Sequence, residues 1–173
     1  KLPLFGPAES SMHFACHLGS RFAIVGTTMP GQLEQLSAQV RQHGLENRLI
    51  PNGIRFDKEP FVQVFDKWLA NPQQCADSVA EVAEGCVADG ADVIVLGCAA
   101  ASMFCSMVGF NKLSIGGQEV PIIDSVMVAM KMAEMAVDIK NATGLPIPSR
   151  TRNYVLPSDE DWTRVRDSFG LPT

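Results

Sequence analysis

Ala91-Asp92-Val93-Ile94-Val95-Leu96-Gly97-Cys98-Ala99-Ala100-Ala101-Ser102 joins a buried strand to the start of a helix. Val93 to Leu96 form an unbroken apolar run, the pattern of a parallel strand covered on both faces. Gly97 then lets the backbone turn, and a helix is expected to begin within the next few residues. Cys98 falls on the exit loop of the strand. The backbone N–H groups of residues 99–102 surround such a position, and a helix N-terminus favours thiolate over thiol. A cysteine placed there can serve as base or nucleophile near neutral pH. The competing reading is a small buried hydrophobe, the commoner fate of a free cysteine.

Working outward, strands and helices alternate. Residues 3–5 read as a strand, followed by a helix over 10–18 that ends at Gly19. Residues 21–26 form a second strand. After Thr27-Thr28-Met29-Pro30-Gly31 a helix places Leu33, Leu36 and Val40 on one face, with Gly44 at its C-terminal cap. Residues 48–50 make a short strand and 54–59 a polar loop. Helices follow over 61–69 and, beyond Asn71-Pro72, up to Gly90, the latter carrying Val79, Val82, Ala83, Cys86 and Val87 at helical spacing. After the Cys98 strand, a segment over 109–118 with no assigned structure leads to a strand over 120–123 and a long helix over 124–141. This alternation specifies parallel βαβ units, an α/β fold with helices on both faces of a parallel sheet. Ligands of such sheets bind outside the carboxyl ends of the strands. The residues there are 7–11, Thr27, Thr28, residues 98–100, and Asp124 with Ser125. Asp124 either caps the helix that follows it or touches a ligand, and Glu9 is open to the same two readings.

The chain has 173 residues, 46% of them hydrophobic, enough for one good core. Its formal charge of −5 comes without a Lys/Arg cluster, which argues against nucleic acid as a partner. No apolar run approaches the ~20 residues that span a bilayer, so no membrane role is expected. Five cysteines, an odd count, argue against a disulfide framework and for a reducing, cytoplasmic setting.

Residues 1–145 are expected to form the α/β domain, and residues 146–173 a C-terminal strap and short amphipathic helix. In that helix Ser158 is the expected N-cap, with Asp159, Glu160 and Asp161 in the first turn. Trp162, Val165 and Phe169 make an apolar stripe that either covers the chain's own core or meets another subunit. His13, Cys16 and His17 share a helix face at a spacing that metals use, but neither CxxC nor HExxH accompanies them, so no metal is expected. Cys75 and Cys86 lie on the apolar-patterned helix and read as structural. Gly-rich phosphate signatures are absent.

Six segments together carry a family resemblance. Residues 91–99 with Val120-Pro121-Ile122-Ile123-Asp124-Ser125 and the helix from Val128 to Glu134 resemble the second half of the aspartate/glutamate/hydantoin racemase superfamily. Pro7-Ala8-Glu9-Ser10-Ser11-Met12-His13, Arg21 to Thr28, and Val40 to Leu45 resemble its hydantoin and allantoin racemase branch in order and spacing. The resemblance covers about residues 2–141. It implies a flavodoxin-like lobe, one lobe of a two-lobed enzyme plus part of the other.

Further implications concern the chemistry. Two cysteines flank the substrate's stereocentre in this superfamily, one removing the α-proton and the other returning it from the opposite face, with no cofactor. Inversion requires an acid and a base on opposite faces, and a thiol/thiolate pair suits it near neutrality. Cys98 matches the second cysteine. Thr27, Thr28 and the N–H groups of Ala99 and Ala100 would hold a carboxylate or ring carbonyl as an oxyanion hole does. Glu9, Ser10 and Asp124 complete the candidate substrate-binding set. The first cysteine belongs to a motif lying before residue 7, so it is expected upstream of this chain. Cys98-Ala99 stands where amino-acid racemases carry Cys-Thr, which favours a cyclic ureide or similar amino acid derivative as the small-molecule substrate. A homo-oligomer is expected. Two alternatives stay open: a single-cysteine decarboxylase or cis-trans isomerase, and a non-catalytic ligand-binding module.

Overall fold

The computed structural model describes residues 4–146 and 157–172. The chain divides into two units, residues 5–132 and residues 1–4 with 133–173. In chain order the elements are α1 (Pro7–Leu18), β1 (Phe22–Thr28), α2 (Gln32–Gln42), β2 (Leu49–Pro60), α3 (Phe61–Ala70), α4 (Gln73–Ala88), β3 (Val93–Leu96), α5 (Ala99–Met107), β4 (Lys112–Ile115), β5 (Gln118–Ile123), α6 (Ser125–Thr143) and α7 (Asp159–Ser168).

The first unit is a five-stranded sheet in the order β2-β1-β3-β5-β4, parallel except for the edge strand β4. Because the side chains of β1 and β3 alternate, each strand feeds two cores. Ala23, Val25, Ile94 and Leu96 pack with Trp68, Cys75, Val79, Ala83, Cys86 and Phe104 beneath α3, α4 and α5. Phe22, Ile24, Val93 and Val95 pack with Met12, Ala15, Leu36 and Val40 beneath α1 and α2. Helices therefore cover both faces, as the apolar run through Val93 to Leu96 predicts. Full burial of a side chain of this size contributes about 1.5–3 kcal/mol.

Three expectations need correction. Leu4 and Phe5 are not in a strand, and Pro3 lies outside the described residues. The expected polar loop over 54–59 is the second half of the long strand β2, which pairs with β1 from Ile24 opposite Ile54 to Thr28 opposite Pro60. Its periodicity is hidden because a two-residue step along β1, from Phe22 to Ile24, matches a five-residue step along β2, from Leu49 to Ile54, and Asn52 in that bulge has φ 51°. The charges of Arg55, Lys58 and Glu59 suit an edge strand, where they oppose pairing with another chain. Finally, residues 109–118 contain β4, which turns through Gly116 and Gly117 into antiparallel pairing with β5.

In the second unit, Ser158 caps α7 as expected, its side chain accepting from the Asp161 N–H at 3.0 Å. Trp162, Val165 and Phe169 are exposed. The strap expected over residues 146–154 lies, beyond Pro146, outside the described residues.

Candidate active site

Strand order places the site. From β1 the chain crosses through α2 to β2 on one side, then through α3 and α4 to β3 on the other. Strand β1 is thus a topological switch point, and the crevice outside the carboxyl ends of β1 and β3 is where such sheets take ligands. Thr27 and Thr28 end β1, and Gly97 and Cys98 follow β3.

Cys98 is the N-cap residue of α5, in extended conformation at φ −134° and ψ 125°, and its carbonyl accepts the first intrahelical bond from the Ser102 N–H at 3.0 Å. Its side chain makes no cap hydrogen bond, and the residue is half-buried. Helix geometry leaves the N–H groups of Ala99 and Ala100 without a carbonyl partner inside α5. Gly97 is required for a different reason from the expected sharp turn. A Cβ there would lie 2.7 Å from Ile24 Cγ2 and 3.6 Å from the Gly26 Cα, so glycine allows strand β3 to leave the sheet tightly against β1.

Polar atoms without partners gather around this exit. Gln32, the first residue of α2, donates its side-chain amide to the Gly97 carbonyl at 3.2 Å, while its Oε1 is buried and has no partner among the described residues. Thr27 is buried and its Oγ1 is likewise unpaired. Asp57, on β2 beside Thr28, is 7% exposed. Its Oδ1 accepts the Thr28 N–H at 2.8 Å, the Thr28 hydroxyl donates to the Asp57 carbonyl at 2.5 Å, and the Asp57 Oδ2 is buried with no partner among the described residues. Burial pushes the Asp57 carboxyl above the usual carboxylate range, the Thr28 hydrogen bonds opposing it only in part. Buried polar atoms without a partner are rare in folded proteins; Gln32, bonded to Gly97, and Asp57, bonded to Thr28, carry theirs beside the ends of β3 and β1.

The helices on the far side are tied together. Ser102 and Ser125 hydroxyls lie 3.1 Å apart, and the Ser106 hydroxyl donates to Asp124 at 2.5 Å. Asp124 caps α6, its Oδ1 accepting from the N–H groups of Val126 and Met127 at 2.9 Å each, so its capping reading holds. Glu9 does not cap α1. That helix starts three residues earlier than expected, at Pro7, with Gly6 as its N-cap, and the Glu9 carboxylate lies 3.9 Å from His43. Ser10 is buried within α1, with its hydroxyl unpaired among the described residues.

The remaining thiols are placed otherwise. Cys75, Cys86 and Cys105 are buried. A hydrogen bond with Cys105 and then burial push the Cys75 thiol up, and burial does the same to Cys86. Cys16 sits on α1.

The family model for Asp/Glu/hydantoin racemases matches residues 1–133. The chain belongs to this family. It is 29% identical over 97% of its length to a hydantoin racemase of Pseudomonas sp. (strain NS671), and 30% identical over 92% to one of Paenarthrobacter aurescens. It spans 61% of the length of each of these relatives. A solved allantoin racemase from Klebsiella pneumoniae superimposes with a TM-score of 0.65 at 28% identity, over 91% of this chain and 57% of that one. An allantoin racemase from Pseudomonas fluorescens, at 23% identity and a TM-score of 0.61, shares the fold. The resemblance carried by residues 91–99 and 120–125 thus identifies the racemase family correctly. Asp57 and Gln32 are the two residues at the mouth that sequence reasoning missed. Asp57 was hidden by the bulge in β2, whereas Gln32 had a usable signal as the first helical residue after the Pro30-Gly31 turn. Among the described residues no helix is long and apolar enough to cross a membrane.

Proposed function

We propose that the protein containing this chain is a cofactor-independent racemase of a hydantoin- or allantoin-like cyclic ureide, with Cys98 transferring the proton on one face of the stereocentre. The observation that carries this reading is the half-buried Cys98 at the head of α5, at the switch point of the sheet. As thiolate it takes the α-proton, and the electron pair of the broken C–H bond moves onto the adjacent carbonyl as an enolate. A second cysteine, outside this chain, returns a proton from the opposite face; the reverse turnover exchanges the two roles. The N–H groups of Ala99 and Ala100 face the developing enolate charge in this scheme, while Thr28, whose N–H and hydroxyl are both bonded to Asp57, holds that residue in place. Asp57 and Gln32 offer acceptor oxygens to ring N–H groups, and Thr27 its hydroxyl to a ring carbonyl. Asp124 acts by holding the start of α6.

The test uses the full-length protein in D₂O, with the substrate's α-proton followed by NMR and its configuration by circular dichroism, on 5-substituted hydantoins and allantoin. Exchange and inversion together are expected, and Cys98→Ser should slow both by ~10²-fold or more. An unchanged rate removes Cys98 from the mechanism. Exchange with retained configuration in the unaltered protein would instead mean that one thiol works alone.

A further inference from the structure

We infer that Glu9, His13 and His43 form a binding site for a divalent transition metal of the zinc class, joining α1 to the end of α2. Sequence spacing puts Glu9 and His13 on one face of α1 four residues apart, where helical side chains meet. Packing supplies the third group from a distant part of the chain. One ligand atom from each residue lies within 4.8 Å of the other two. His43 Nδ1 is 3.9 Å from Glu9 Oε1, and the two imidazole rings meet edge to face with centroids 5.5 Å apart.

The backbone that carries these side chains is fixed. His43 is the C-cap of α2, its N–H bonded to the Gln39 carbonyl at 3.1 Å, and Gly44 beyond it turns with φ 67°. Arg48 anchors the far end of α1 through the carbonyls of Cys16 at 2.9 Å and Gly19 at 2.6 Å. Only side-chain rotations separate the present arrangement from a closed one, in which three donors at ~2.0–2.2 Å from one ion lie somewhat nearer one another. All three residues are half-buried, so solvent reaches the remaining coordination position.

Two imidazoles and one carboxylate suit zinc, cobalt, nickel or copper, and discriminate against magnesium and calcium, which prefer all-oxygen sets. The site is separate from the thiol chemistry, and it assigns Glu9 to a metal rather than to the substrate. It also differs from the set that spacing suggests along α1, since His17 and Cys16 give way to Glu9 and His43.

The experiment is a cobalt(II) titration of the full-length protein, followed by visible absorption, with zinc competition and equilibrium dialysis for stoichiometry. One ion per chain is expected, with a spectrum of nitrogen and oxygen ligation that lacks the thiolate charge-transfer band and persists in Cys98→Ser. His43→Ala, and independently Glu9→Gln, should weaken binding by at least ~100-fold, the upper range for losing even an outer-shell partner. His17→Ala should leave it unchanged. His43→Gln serves as the second variant if His43→Ala does not fold. Zinc should raise the thermal midpoint of the unaltered protein and not that of His43→Gln. A thiolate band, binding that survives the loss of His43 but not of His17, or no stoichiometric binding would each overturn the site.

Discussion

Cys98 and Cys75 are the same side chain on neighbouring helices, yet the fold gives them opposite surroundings. Cys75 lies inside α4, buried among apolar side chains, its thiol donating to the Ala101 carbonyl at 4.0 Å and pushed up. Cys98 stands one residue before α5, half-buried at the carboxyl side of the sheet, next to Gly97, whose carbonyl accepts from the Gln32 side chain. A thiol inside a helix of the core contributes packing. A thiol at a strand exit, facing a helix N-terminus, is available for chemistry. Position relative to the end of an element, rather than the residue type, separates the two.

The largest effect expected from breaking this comparison is on rate. Cys98→Ser should lose ~10²-fold or more of racemisation, while Cys75→Ala keeps the rate; a comparable loss in both would erase the distinction. Next in size is Gly97→Ala. The added Cβ meets Ile24 at 2.7 Å, so overpacking should cost about 1–3 kcal/mol, read as a lower denaturation midpoint. An unaltered midpoint would mean that β3 relaxes away from β1 at no cost. Cys75→Ala should then cost about 1 kcal/mol, the scale of one buried methylene-sized group, with no change in rate.

The smallest effect concerns Asp57, and it has a sign. Burial raises its folded-state pKa above the unfolded value, so the folded protein holds the proton more tightly. Stability from this group is greatest below the unfolded carboxylate pKa and is lost as pH rises through the folded one. Asp57→Asn should therefore raise the thermal midpoint at pH 7 and lose that advantage at acid pH, while raising KM for a cyclic ureide. A variant that is less stable at pH 7, with KM unchanged, would show that the carboxylate is satisfied without a ligand.

How much of this was legible in the sequence follows from the range of each interaction. The junction at Gly97 and Cys98 is local: an apolar run, a glycine and a helix start occupy consecutive residues, and periodicity reads them directly. Strand β2 was half legible, because residues 51–53 bulge against β1 and shift the register, which no pattern of period two survives. The hairpin of β4 was lost because its edge strand is short and mostly exposed. The surroundings of Cys98 were legible only in part. Thr27 and Thr28 follow from the end of β1, whereas Asp57 reaches them through strand pairing, and His43 reaches Glu9 through helix packing. Interactions of that kind depend on tertiary structure and leave no spacing to read.

The assignment of Cys98 to proton transfer is open to timed iodoacetamide labelling of the folded full-length protein, with peptide mass mapping and in the presence or absence of substrate. Cys98 should be alkylated first, substrate should slow its labelling, and Cys75 and Cys86 should label only on unfolding. Faster labelling of Cys75 or Cys86 in the folded protein, or a Cys98 rate indifferent to substrate, would contradict it.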